Sequence, residues 1–177
     1  VVGMEACLTS HYWARELTRL GHTVRLIPPS YVKPYVKRGK SDAADAEAIC
    51  EAVTRPTMRF VEVKSCEQQA ILSLHRTRDL IVRQRTQTIN MLRGLLAEFG
   101  IVLPKGVGAV RKRLPELLED AQNGLSEFFR PLLADCHRQL QEIDAHIDFY
   151  SQAIKEHGRD NEAVQRLQTI PGFGPIV

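Results

Sequence analysis

Three acidic residues near the start of the chain have types and spacing that suit a divalent metal site. Asp42 and Asp45 lie three residues apart in the alanine-rich run SDAADAEA, so on a helix they share one face. Alanine favours helix and glycine does not, so this helix is predicted to begin just after Gly39. Glu5 follows a short apolar segment that predicts the end of a buried strand, where functional residues of open α/β sheets gather. Such carboxylates could bind one or two Mg²⁺ ions, which take phosphate oxygens as further ligands.

A run of cations directly precedes the Asp42 helix. The segment 33–40 contains no acid and carries four positive side chains, Lys33, Lys37, Arg38 and Lys40. We expect it to be a loop that holds backbone phosphate beside the metal ions. Each acid also has an ordinary alternative: Asp42 could cap the helix, Asp45 could be an acid that the helix dipole favours in the first turn, and Glu5 could be solvated.

Apolar patterning predicts the elements that would position these residues. A helix ended by Gly21 is predicted to carry Trp13, Leu17 and Leu20 on one side. The order strand, helix, strand, helix indicates an α/β layer with a right-handed crossover. The predicted elements are strands at 1–4 and 23–27, a helix over 10–20, a helix from about 40 to 53, and a candidate last strand at 60–63.

From Glu67 the pattern becomes helical. Glu67–Phe99 contains no proline and is long enough for one helix of about 33 residues, or roughly 50 Å. Its arginines form two stripes with seven-residue spacing and have few acids around them, which favours phosphate binding over a solvated face. Gly100–Arg113 is predicted to be a loop, after which Pro115 opens a short helix over 116–121. The expected nucleic-acid contacts here are Arg76, Arg78, Arg83, Arg85, Arg111, Lys112 and Arg113.

The segment Leu133–Ile154 has apolar residues that alternate steps of three and four, as in the a/d seam of a coiled coil. A helix cannot bury such a seam alone. Its partner could be the Glu67–Phe99 helix, running antiparallel, or a second subunit, and the spacing does not decide between them. The seam consists of Leu133, Cys136, Leu140, Ile143, Ile147, Tyr150 and Ile154.

The last residues, IPGFGP, contain the G-x-G of a helix-hairpin-helix turn at Gly172 and Gly174, with Leu167 and Ile170 spaced to pack its first helix. Turns of this kind bind phosphate backbone through main-chain N–H groups without reading sequence. A plain Gly-Pro loop is the alternative.

Composition bounds the class of protein. The 177 residues carry a net charge of +3, and 44% of them are hydrophobic, as in a globular protein. The four cysteines, at 7, 50, 66 and 136, have neither zinc-finger spacing nor a disulfide framework, so a reducing cytosol is expected. No apolar run approaches the roughly 18 residues of a membrane span. Both ends look cut, so we expect a segment of a longer protein.

Four motifs, in this order, resemble the DEDD transposases of the "one-ten" insertion-sequence family, and most of all its "eleven-eleven" subgroup. They are VGMEAC, HYWARELTRLGHTVRLIPPSYVKPYVKRGKSDAADAEAI, RTQTINMLRGLLAEFG and LQTIPGFGP. The resemblance implies α/β plus all-α architecture: a partial ribonuclease-H-like (RuvC-like) catalytic domain over 1–64, a helical coiled-coil module over 65–160, and the start of a C-terminal domain over 161–177. By motif, Glu5, Asp42 and Asp45 match three of four acids that bind Mg²⁺ (or Mn²⁺). The first Asp is expected upstream, and a strand-transfer serine beyond Val177.

The resemblance also implies the activity and the partners. It implies a DNA transposase that cleaves and transfers strands, works with a structured guide RNA, and forms a homo-oligomer through the coiled coil in the bacterial cytoplasm, near the nucleoid. These 177 residues alone are expected to be inactive. The alternatives are a RuvC-like junction resolvase or nuclease, and a non-catalytic module that binds nucleic acid and oligomerises.

Overall fold

The computed structural model describes residues 1–37 and 41–176. The chain divides into two units, Val1–Ala70 and Ile71–Val177. In the first unit, strands β1 (Val2–Glu5) and β2 (Val24–Ile27) pair in parallel, and Glu5 stands beside Ile27 in the register. The predicted domain limits after residues 64 and 160 stay predictions.

Helices fill the rest of the first unit. Helix α1 (Ser10–Arg19) connects the strands, and helix α2 (Pro29–Val32) follows β2 and continues into a 3-10 turn, Lys33–Tyr35. Helix α3 (Asp42–Val53) comes next. The predicted order of strand, helix, strand and helix is confirmed, with α2 as an addition. The likeness of this layer to RuvC stays a prediction.

Three details of the first unit differ from the sequence-based expectations. Helix α1 buries the small residues Ser10 and Ala14 against the sheet, whereas half of Trp13 is exposed. The candidate strand 60–63 is a single bridge, in which the Val61 amide donates to the Leu26 carbonyl at 2.8 Å. The cationic segment is not a loop throughout, because Lys33 begins the 3-10 turn. Small residues let a helix approach a sheet closely, and patterns of large apolar residues overlook that.

In the second unit, four helices follow one another: α4 (Cys66–Ala97, which begins in the first unit), α5 (Val107–Glu119), α6 (Phe129–Arg159) and α7 (Glu162–Gln168). None of the helices described is long and apolar enough to cross a membrane. The predicted loop 100–113 is confirmed only up to Gly106, and the predicted short helix 116–121 is the last part of a longer helix that ends at Glu119. Helix α5 begins at Val107 and contains Pro115, because burial of Val110, Leu114 and Leu117 offsets the missing proline N–H.

The a/d seam of α6 is buried by the same chain. Its members Leu133, Cys136 and Leu140 belong to one core with residues of α4 and α5, among them Leu96 and Leu114. Ile147 and Ile154 are also buried, and the remaining two members are partly buried. The seam is therefore confirmed as the buried face of α6, while a supercoiled geometry stays a prediction.

Two side-chain contacts show that α4 and α6 run antiparallel within the second unit. Arg78 Nε donates to Ser151 Oγ at 2.7 Å. About two turns further along α4, Arg85 forms an ion pair of 3.2 Å with Asp144. Seven residues forward on α4 thus correspond to seven residues backward on α6. Of the two partners that the spacing left open, the long helix of the same chain is observed beside α6, and α5 also contributes to the core that contains the seam.

Candidate active site

An open hollow of about 340 Å³ lies in the first unit, where β1 and β2 end. Glu5 reaches it from the last position of β1, and Asp45 from the first turn of α3. Lys33 reaches it from the turn after α2. Its other lining residues are Pro29, Ser30, Val32, Val36 and Ile49. Two of the predicted acids and one predicted cation therefore share a single hollow.

Glu5 and Asp45 meet because α3 packs along β1. An ideal Cβ on Gly3 would lie 3.0 Å from Ile49 Cγ2 and 3.0 Å from Val53 Cβ, so any side chain at this position would require Ile49 and Val53 to move. Glu5 is two residues beyond Gly3 on the same face of the strand, a step of about 6.6 Å. Asp45 is four residues before Ile49 on the helix, a step of about 6 Å. Because these two distances are similar, both carboxylates lie at the same end of the interface between β1 and α3.

Asp42 occupies the first position of α3 and does not line this hollow. The residue that caps the helix is Ser41, whose Oγ accepts from the Ala44 amide at 3.3 Å. The alternative in which Asp42 is the cap is therefore wrong. Asp42 lies one turn before Asp45 on the same side of the helix, where the positive end of the helix dipole favours a carboxylate.

The donor set of the hollow suits magnesium. Mg²⁺ keeps several waters and is usually bound by one or two carboxylates together with substrate phosphate oxygens, and Glu5 and Asp45 supply two carboxylates. Within residues 1–37 and 41–176, no three His, Cys, Asp or Glu side chains are grouped closely enough to hold a metal ion. The three-acid site with Asp42 stays a prediction.

The predicted cations of the first unit differ in their surroundings. Lys33 lines the hollow, whereas Lys37 forms an exposed ion pair with Glu47 of α3. The Arg55 guanidinium, two residues after α3, lies 5.6 Å from the centre of the Tyr35 ring in the turn. Both contacts join the segment 33–37 to the segment 42–55. Arg38 and Lys40 lie outside the described residues.

The two arginine stripes of α4 have opposite surroundings. Arg78 and Arg85 contact α6, and the side chains of Arg85 and Asp144 are each only 20% exposed. Asp144 also pairs with Arg111 of α5, and Arg113 pairs with Glu116 at 2.6 Å. The premise that the arginines of the long helix have few acidic partners is wrong for Arg85. Arg111 and Arg113, which lie outside that helix, have acidic partners as well.

Arg76 and Arg83 form the other stripe. Both are exposed, as is Lys112 of α5, and none of the three has a hydrogen bond or ion pair with the described part of the chain. The surroundings therefore leave these three cations available to an anionic partner, while the roles predicted for the other arginines stay predictions.

The G-x-G segment follows α7 in the second unit. Gly172 has a φ of 93°, a left-handed conformation that glycine adopts without strain. Leu167 and Ile170, expected to pack the first helix of a hairpin, are 49% and 46% exposed. Described residues 169–176 form turns and no second helix, so the phosphate-binding turn stays a prediction.

Sequence reasoning missed α2 and, with it, Ser30. Pro28-Pro29 directly follows the predicted strand 23–27 and indicates where that strand ends. Proline at the first helical position is itself a helix signal, and it is followed here by Ser30. A short helix at the carboxyl end of β2 could have been predicted from that signal.

An α/β layer with one carboxylate at the end of a parallel strand and another in the first turn of a neighbouring helix is an acidic site of a general kind. Comparison with known proteins defines the family. The family model DEDD_Tnp_IS110, described as transposase, matches residues 1–101. The chain belongs to this family of transposases.

Three relatives show the same similarity over nearly the whole chain. A probable family 20 transposase of Pseudomonas aeruginosa is 49% identical over 177 residues, which are 99% of this chain and 52% of that protein. The transposase for insertion sequence element IS1328 of Yersinia enterocolitica is 43% identical over 99% of this chain and 52% of its own length. The transposase for insertion sequence element IS1111A of Coxiella burnetii is 40% identical, over 98% and 48%. The chain spans about half the length of the curated relatives it matches.

Proposed function

We propose that the longer protein containing this chain is an insertion-sequence transposase that cleaves and transfers DNA strands at a metal-dependent site built on Glu5, Asp42 and Asp45. The observation that supports the site is the shared hollow of Glu5, Asp45 and Lys33. Membership of the transposase family supports the class of reaction.

The residues of the hollow have distinct proposed roles. Glu5 and Asp45 would hold Mg²⁺ or Mn²⁺, with Asp42 one turn away as a further ligand. When bound, the metal would neutralise phosphate charge and activate the attacking oxygen. Lys33 binds a non-bridging phosphate oxygen as a point charge. A fourth carboxylate and a strand-transfer serine are proposed to come from parts of the longer protein outside this chain, so these 177 residues alone are expected not to cleave DNA.

We also propose that Arg76, Arg83 and Lys112 bind nucleic-acid backbone, either of DNA or of a structured guide RNA. They are exposed and unpaired within the described residues, which is what a phosphate-binding cation requires. A homo-oligomer is part of the proposal. Because the inner seam of α6 is filled by its own chain from 133 to 140, subunits would meet through the outer sides of the helices.

The test compares Glu5→Gln and Asp45→Asn with Glu62→Gln in the full-length transposase. Glu62 is an exposed acid of the same unit that does not line the hollow. We expect both site variants to lose Mg²⁺-dependent strand cleavage by at least about a hundredfold, as for loss of a metal ligand, while Glu62→Gln keeps it. Mg²⁺ affinity, measured by calorimetry, should fall in the same two variants.

Normal recombination by the site variants would contradict the metal site. If folded Glu5→Gln and Asp45→Asn proteins recombine DNA as well as the unmodified protein, the acids are not ligands. That result would favour the non-catalytic nucleic-acid-binding module.

A further inference from the structure

Ser30 contributes a hydroxyl to the candidate active site, and it has no part in the roles proposed for the carboxylates and Lys33. It lines the hollow together with Glu5 and Asp45. Ser30 and Lys33 are three residues apart on a helical segment, so they lie on the same side of it. The hollow therefore receives one neutral donor and one cation from the same short segment.

The backbone of this segment is firmly placed, although Ser30 itself is exposed. The amides of Tyr31 and Val32 donate to the Pro28 carbonyl at 2.9 and 3.3 Å. Val32 is only 4% exposed and packs in one core with Ile27 and Ala48. Ser30 thus stands on a short helix anchored by its buried neighbour.

The Ser30 hydroxyl has no hydrogen-bond partner in the described part of the chain. Its O–H remains available as a donor to a ligand in the hollow. Serine hydroxyls are common partners of nucleic-acid phosphate oxygens. A hydroxyl suits this hollow because it can bind an anionic oxygen without an additional charge beside the two carboxylates.

We propose that Ser30 is a substrate-binding residue, whose hydroxyl donates a hydrogen bond to a non-bridging oxygen of the DNA phosphodiester held next to Lys33. The inference rests on the proposed function, since it needs a phosphodiester in this hollow. It adds a neutral donor that selects the orientation of the phosphate.

The experiment uses the full-length transposase with Ser30→Ala, with Ser30→Thr, which keeps the hydroxyl, and with Thr57→Ala, an exposed hydroxyl of the same unit outside the hollow. Cleavage by each variant is measured on unmodified DNA and on the two diastereomers that carry a phosphorothioate at the scissile position. We expect Ser30→Ala to lower kcat/KM on unmodified DNA about tenfold, as for loss of one hydrogen bond to a charged oxygen. Ser30→Thr should recover most of that loss, and Thr57→Ala should have no effect.

The diastereomers separate binding from a structural effect. Sulfur is a weak hydrogen-bond acceptor, so on one diastereomer Ser30→Ala and the unmodified protein should cleave within about twofold of each other. An equal loss on all three substrates, or no loss on unmodified DNA, would overturn the role of Ser30. If Glu5→Gln abolishes cleavage while Ser30→Ala is normal, only this inference fails; if Glu5→Gln also cleaves normally, the proposed function fails with it.

Discussion

Gly3 and Ile49 touch at the interface between β1 and α3, where a Cβ on Gly3 would stand 3.0 Å from Ile49 Cγ2. This close approach brings the carboxylates of Glu5 and Asp45 to one hollow. The distance between β1 and α3 therefore determines whether Glu5 and Asp45 can lie in the same site.

Replacing Gly3 by alanine should separate α3 from β1. We expect Gly3→Ala to destabilise the protein by about 1–3 kcal/mol, the usual cost of overpacking, and to lower Mg²⁺ affinity. Thermal unfolding and calorimetry would measure the two effects. Gly94→Ala is the matched control, because Gly94 lies in α4 with nothing within 4 Å of its ideal Cβ. There alanine should stabilise the helix by about 0.5–1 kcal/mol. Equal stability of both variants would contradict the packing argument.

Asp144 joins three helices, since it pairs with Arg85 of α4 and Arg111 of α5 from its own position on α6. Replacing it with asparagine leaves the partly buried Arg85 guanidinium without its charged partner. We expect Asp144→Asn to cost about 1–3 kcal/mol in urea unfolding. Asp148→Asn, at an exposed position of the same helix, should change stability by less than about 0.5 kcal/mol. If both variants cost the same, Asp144 does not connect the helices energetically.

Substitutions in the two arginine stripes of α4 should have different effects, one on nucleic-acid binding and the other on stability. Arg76→Gln with Arg83→Gln should weaken nucleic-acid binding and reduce the salt slope by about two, without loss of stability. Arg78→Gln with Arg85→Gln should instead lower stability, because these side chains contact Ser151 and Asp144. Fluorescence anisotropy over a range of salt and urea unfolding give the two readouts. If replacing Arg76 and Arg83 leaves the salt slope unchanged, this stripe is a solvated face that does not bind phosphate.

Cys136 should make stability fall at alkaline pH. Burial, followed by the nearby Asp135 charge, raises the pKa of the Cys136 thiol. Above about pH 8.5, the ordinary pKa, the unfolded chain loses this proton while the folded chain keeps it. The free energy of unfolding therefore decreases as pH rises through that window. Urea unfolding from pH 7 to 10 should show a smaller decrease in Cys136→Ala, and an identical decrease would exclude Cys136 as its source.

Local signals in the sequence predicted much of the first unit. The alanine-rich run after Gly39 predicts α3, and the apolar residues before Glu5 predict the end of β1, so both carboxylates could be identified from their neighbours. The hollow itself depends on the contact of Gly3 with α3. Glycine in a short strand gives no indication of what packs against it.

The second unit was harder to predict because tertiary packing overrides local signals there. Gly106 and Gly108 favour a loop and Pro115 favours a helix start, yet burial of one face of α5 produces a helix that already begins at Val107. Arginines spaced seven apart look equivalent along α4. Only the antiparallel position of α6 determines that Arg78 and Arg85 face inward and that Arg76 and Arg83 remain exposed.

The contacts of Arg78 with Ser151 and of Arg85 with Asp144 constrain how this part of the protein can change in length. Inserting one residue between the two arginines would rotate Arg85 by about 100° away from Asp144. Adding seven residues to α4 and seven to α6 at the same level would keep both contacts. Transposases with a longer or shorter version of this helix pair should therefore differ by whole heptads, gained or lost in both helices together.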